Sequence, residues 1–151
     1  VGKTTLLRSL AVMLSSGADA RRVSVIDTRG ELAFSLDSPS LCLDLLSGYP
    51  KHVGMAIAAR TLGTEVMICD EIGSRADAEA ICEAHNCGVP LIATAHAASV
   101  RELLGRSGIG MLHRAGTFGY YVGIRRAGNF SFSYDVCKRE DADDAYLGSR
   151  G

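Results

Sequence analysis

The sequence predicts an α/β fold: a mainly parallel sheet with helices on both faces and a C-terminal β-hairpin. Three observations predict it. Segments with helical periodicity alternate with short apolar runs over residues 4–106. The apolar runs are nearly continuous rather than alternating, which is the pattern of strands buried on both faces. The runs that end at Asp27, Asp70 and Thr94 each give way to polar residues, as strands do where an open parallel sheet forms its ligand crevice.

Residues 4–15 (TTLLRSLAVMLS) set Leu6, Leu7, Leu10, Val12 and Leu14 at largely helical spacing, and Ser15, Ser16 and Gly17 stop that helix. Residues 22–27 read as a short strand ending in a carboxylate. Residues 28–52, with Gly30, Pro39, Gly48 and Pro50, read as loop with short pieces of structure. A helix is expected over 53–62, an apolar strand over 66–70, and an Ala- and Glu-rich helix over 75–86, closed by Gly88. The next strand is 89–94, with Pro90 near its start, where a missing N–H is tolerable. Another helix follows over 98–106. Residues 118–125 and 129–136 form two strands around the turn Arg126-Ala127-Gly128-Asn129. The expected division is a core over 1–137 and a charged, frayed tail over 138–151.

A chain of 151 residues fits one domain, and 47% hydrophobic content supplies its core. The formal net charge of -1 and the absence of Trp argue against nucleic acid or an anionic membrane as a partner. The five cysteines show no C-x-x-C spacing and read as reduced thiols of a cytosolic protein. Cys69 reads as a small buried hydrophobe, and Cys82 and Cys87 lack the second ligand pair of a zinc site. No apolar run approaches the ~20 residues of a membrane span. The chain opens on Val1-Gly2-Lys3 without an initiating Met, so an upstream targeting or membrane segment stays open.

Four signals carry chemistry. Gly2-Lys3-Thr4-Thr5, opening a helix, matches the end of G-x-x-x-x-G-K-[ST], with the first glycine falling ahead of residue 1. A helix N-terminus attracts phosphate. Lys3 would neutralise the β- and γ-phosphates of ATP, and the Thr4 hydroxyl would hold Mg2+. An ordinary basic first turn would give the same tetrapeptide. Second, Val66-Met67-Ile68-Cys69-Asp70-Glu71 is four apolar residues followed by two acids, the arrangement of a Walker B strand. Asp70 would join the Mg2+ shell and Glu71 would polarise water; the alternative is an edge strand ending in a solvated acidic turn. Third, Asp27, Arg29 and Glu31 follow the preceding strand and could orient water or metal, or form a solvated turn with a local ion pair. Fourth, His96 in Thr94-Ala95-His96 could sense the γ-phosphate, or be a satisfied structural histidine. Glu71 and Glu31 both remain candidates for the main catalytic acid. Arg60 and Arg75 flank the acidic strand; a surface salt bridge competes with an arginine-finger role for each. His52, His85 and His113 have no comparable placement.

The order of these boxes resembles the secretion-type ATPases of type II and type IV systems and of pilus retraction, which are RecA-like P-loop NTPases. A closer resemblance is to the stage III sporulation protein AA family. It rests on Val1 to Arg8, Ile26 to Ala33, Asp44 to Met55, Asp70 to Gly73, Asp77 to Ile81 and Leu91 to His96, and extends to about residue 137. Thr28 and Gly30 stand where the family segment often reads D-E-R-S-E, and Tyr49 stands where a Cys is common. The resemblance implies an ATPase that assembles as a homo-oligomeric, hexameric ring on the cytoplasmic face of the cell membrane. It would serve the channel proteins of a sporulation complex. The competing expectations are a nucleotide-binding scaffold without turnover, a RecA-like DNA motor and a small-molecule kinase.

Overall fold

The computed structural model describes residues 2–33, 36, 38 and 40–147. Helix α1 (Lys3–Ser15) precedes strand β1 (Val23–Asp27), and β2 (Leu43–Ser47), α2 (Lys51–Thr61), β3 (Val66–Glu71), α3 (Arg75–Asn86) and β4 (Leu91–Thr94) follow. Two short helices, α4 (Val100–Gly105) and α5 (Ser107–Arg114), lead to the hairpin strands β5 (Tyr120–Arg126) and β6 (Phe132–Lys138) and to helix α6 (Arg139–Leu147).

The four-stranded sheet is all parallel, in the order β2-β1-β3-β4. Its two central strands explain the continuous apolar runs. Side chains alternate along a strand, and here the alternation divides the core in two. Val23, Val25, Val66 and Ile68 pack with Leu7 and Ala11 of α1. Ile26, Met67 and Cys69 point the other way, to Met55 and Ala58 of α2 and Ala78, Ile81 and Ala84 of α3. Both faces are therefore covered, and β1 is buried throughout. Helix α1 presents Leu7, Ala11 and Ser15 to the sheet at i, i+4 spacing. Ser24, polar and buried, shares a 2.6 Å hydrogen bond with the Thr64 hydroxyl, which in turn donates to the Ala58 carbonyl. Helix α3 starts on a capping box between Ser74 and Asp77.

The architecture is the expected one, with three differences in detail. Within the segment read as loop, Leu43–Ser47 forms the edge strand β2. Asp44 interrupts its apolar pattern because an edge strand is only half covered, and it pairs there with Arg22 at 3.1 Å. Ser107–Arg114 forms α5, a helix that Gly108 and Gly110 obscure in the sequence. A Cβ at Gly110 would meet the Leu104 carbonyl oxygen at 2.8 Å, so the turn between α4 and α5 leaves no room for a side chain.

The third difference is in the tail. Lys138 ends β6 and Arg139–Leu147 is helical, in place of frayed chain; residues 148–151 lie outside the described residues. The helix docks because His113, 2% exposed, stands between two partners. Its Nδ1 is 2.6 Å from the Tyr121 hydroxyl and its Nε2 is 2.7 Å from Asp143 of α6. Ala142 is fully buried beside them, and burial beside the ring pushes the Tyr121 hydroxyl up to about 12.

The two-sided burial of β3 predicts a contrast. Met67→Ala should cost about 2–5 kcal/mol, whereas Met13→Ala on the exposed side of α1 should fall within about 0.5 kcal/mol of the parent. Urea denaturation monitored by circular dichroism measures both.

Candidate functional site

The carboxyl ends of β1, β3 and β4 and the N-terminus of α1 meet at one cleft of about 230 Å³, lined by Lys3, Thr4, Leu7, Arg29, Glu31, Leu32, Asp70, Glu71, Thr94 and His96. Residues dispersed over more than ninety positions of sequence thus converge because parallel strands all end on the same side of the sheet. Gly2 and Thr5 stand beside the cleft without lining it. Gly2 caps α1 in the left-handed region, φ 94°, and supplies no side-chain cap. The first-turn N–H groups of α1 are therefore left for another acceptor. A Cβ at Gly2 would also lie 2.9 Å from the ring of Phe132 in the hairpin, so this position admits glycine on two counts.

Asp27 plays a part that differs from both sequence expectations. It is fully buried and neither borders the cleft nor forms a solvated turn. Its two carboxylate oxygens accept the N–H groups of Glu31, Leu32 and Ala33 at 3.0, 2.9 and 2.8 Å. A carboxylate satisfied by three backbone donors winds the loop after β1 into a fixed turn. That turn places Arg29 and Glu31 on the cleft. Arg8 of α1 donates to the Glu31 carbonyl and ties the same loop to the helix.

At the tip of β3 the pairing with β4 runs Cys69 to Ala93 and then Glu71 to Thr94, skipping Asp70. Such an irregularity re-aims side chains, and here both acids border the cleft. They are held differently. Asp70 Oδ1 forms an ion pair with Lys51 at 2.7 Å, without the angle of a hydrogen bond. Glu71 Oε2 lies 3.8 Å from His96 Nε2. The other ring nitrogen of His96 is 2.8 Å from Lys3 Nζ, which also donates to the Ala95 carbonyl at 3.3 Å. Lys3, His96 and Glu71 therefore form a continuous polar line across the cleft. Partial burial lowers the Lys3 ammonium from its usual value, and the charge of Glu71 opposes that shift.

Among the remaining candidates, Arg60 and Arg75 sit on the surface of α2 and α3, opposite Glu83 at 3.9 Å and Glu79 at 3.0 Å. Cys69 is a buried thiol whose ionisation desolvation pushes up to about 12, and all five cysteines are free. Among the described residues, no cluster of three or more His, Cys, Asp or Glu could hold a metal unaided. The residue that the sequence reading passed over is Lys51. Its signals are its place in the Asp44-to-Met55 segment that carries the resemblance and a cation in the first turn of a helix, where the helix dipole disfavours it.

Residues 1–135 match the family Sporulation stage III, protein AA. The chain belongs to this family. It is 35% identical to stage III sporulation protein AA of Bacillus subtilis (strain 168), over 89% of this chain and 47% of that protein. It is 32% identical to the protein Seedling plastid development 1 of Arabidopsis thaliana, over 69% of this chain and 16% of that one. The chain thus spans less than half the length of these curated relatives. In three dimensions it is similar to the Legionella pneumophila ATPase DotB, with a TM-score of 0.75 at 17% identity, over 99% of this chain and 48% of DotB. This sporulation family member therefore shares the fold of DotB.

Asp27→Ala leaves three backbone donors without their acceptor. It should destabilise the protein by at least about 1.5–3 kcal/mol, the scale of a hydrogen bond to a charged group, in thermal or urea unfolding. Amide exchange at residues 31–33 should rise with it.

Proposed function

We propose that this chain is the ATP-binding and hydrolysing core of a motor or gating ATPase that serves a secretion-like membrane channel in endospore formation. One observation carries the reading. Lys3, Thr4, Glu31, Asp70, Glu71 and His96, drawn from four separate boxes of sequence, line a single cleft at an uncapped helix N-terminus. Family membership supports the sporulation context, and the order of the boxes supports the secretion-like one.

In this reading the N–H groups of the first turn of α1 and the Lys3 ammonium bind the phosphates. Lys3 leaves His96 and the Ala95 carbonyl to do so, a short swing of a flexible side chain. The Thr4 hydroxyl and the Asp70 carboxylate are hard oxygen donors on the same cleft, a set that fits Mg2+ shared with the phosphates. Bound there, Mg2+ would neutralise charge on the phosphate oxygens during transfer. Glu71 orients and deprotonates the attacking water. Its position favours it over Glu31, because it stands at the strand tip beside His96, whereas Glu31 belongs to the loop that Asp27 winds. His96, freed from Lys3, donates to the γ-phosphate. The subunits assemble as a ring, a hexamer, at the inner face of the membrane. No helix among the described residues is long and apolar enough to cross a membrane.

Steady-state phosphate release by the full chain tests the reading. Lys3→Ala should abolish ATP binding and turnover together. Glu71→Gln should lower kcat by about 10²–10⁴ while ATP still binds, and Glu31→Gln should cost less. Tight binding without turnover in the parent would select the scaffold in place of the hydrolase, and no binding at all would sink both.

A further inference from the structure

A second charged cluster lies directly behind the cleft. Lys51 opens α2, against the helix dipole, and it is not among the residues that border the cleft. Its side chain is only 9% exposed. Burying an ammonium is costly unless it is paired, and its partners are specific. Lys51 Nζ lies 2.7 Å from Asp70 Oδ1 and 3.9 Å from Asp77 Oδ2, and it donates to the Glu71 carbonyl oxygen. Asp77 is anchored in its turn. Its Oδ2 accepts the N–H groups of Gly73 and Ser74, each at 3.0 Å, within the cap of α3. One buried cation therefore ties the tip of β3, the turn after it and the start of α3 to the start of α2.

Asp70 is where this cluster meets the cleft, since the same side chain pairs with Lys51 and borders the cavity. The β3–β4 ladder skips its position, so strand pairing does not set its direction; the ammonium behind it does. We propose that Lys51 is a positioning residue for the Mg2+-nucleotide complex, holding the Asp70 carboxylate in the direction from which it meets the ion. This role rests on the ATP reading above. Lys51 acts through Asp70 and touches neither nucleotide nor metal.

Isothermal titration of the full chain with ATP, once with Mg2+ and once with EDTA, tests the proposal without relying on turnover. In Lys51→Met the affinity for ATP should fall about 10- to 100-fold in Mg2+, the usual cost of losing a group that orients a metal ligand. In EDTA it should stay at the parent value. An equal loss in both buffers would make Lys51 a purely structural clip, and an unchanged Mg2+ advantage would remove it from the site; either result overturns the proposal. A parent protein that binds no ATP in either buffer overturns the nucleotide reading, and this one with it. Lys51→Met leaves two carboxylates facing each other, so the double variant Lys51→Met/Asp77→Asn carries the same comparison if the single variant does not fold. Failure of both to fold assigns Lys51 to the core alone and also overturns the proposal.

Discussion

Burial of β1 and β3 on both faces is the constraint from which the rest follows. A strand covered on each side by helices has no lateral place for polar groups. The few polar groups that remain inside, such as Ser24, must be satisfied within the protein, as Thr64 does for it. Everything else that is charged on these strands is expelled to their ends. Because the sheet is all parallel, those ends lie on one side, and the acids of two strands arrive at the same edge without any sequence proximity. The cleft is the outcome of that sorting rather than a separate construction.

Beside the cleft, two carboxylates that look alike in sequence are used oppositely. Asp27 and Asp70 each end an apolar strand. Asp27 turns away from the cleft and spends both oxygens on three backbone N–H groups, so its charge shapes a loop. Asp70 keeps its place on the cavity and is balanced from behind by Lys51. The difference lies in what faces each strand tip. A tight turn offers N–H donors to the first, and the start of a neighbouring helix offers an ammonium to the second. Ionic groups at such depth persist only when paired, which is why each has a dedicated partner.

The C-terminal part is held by a different means. The hairpin β5–β6 joins no strand of the main sheet. Its inner face contributes Tyr121 to the core, while Val122 and Val136, opposite one another on the outer face, remain exposed. The His113 pair of contacts with Tyr121 and Asp143 links α5, β5 and α6 across 30 residues of chain. At its other end the hairpin lays Phe132 against Gly2, so a segment remote from α1 in sequence packs on the start of that helix.

The sequence by itself determined the alternation of helices and strands, the parallel sheet and the boxes that border the cleft. Those features rest on local periodicity and on glycine, proline and capping residues, which act within a few positions of where they stand. It left β2 and α5 obscure, because an edge strand half covered by its neighbours tolerates Asp44 and a helix with a tight neighbour requires Gly110. It could not show that backbone N–H groups hold Asp27 and that Lys51 holds Asp70. The direction of a carboxylate depends on donors and cations brought from elsewhere in the chain, and only the tertiary structure sets those distances.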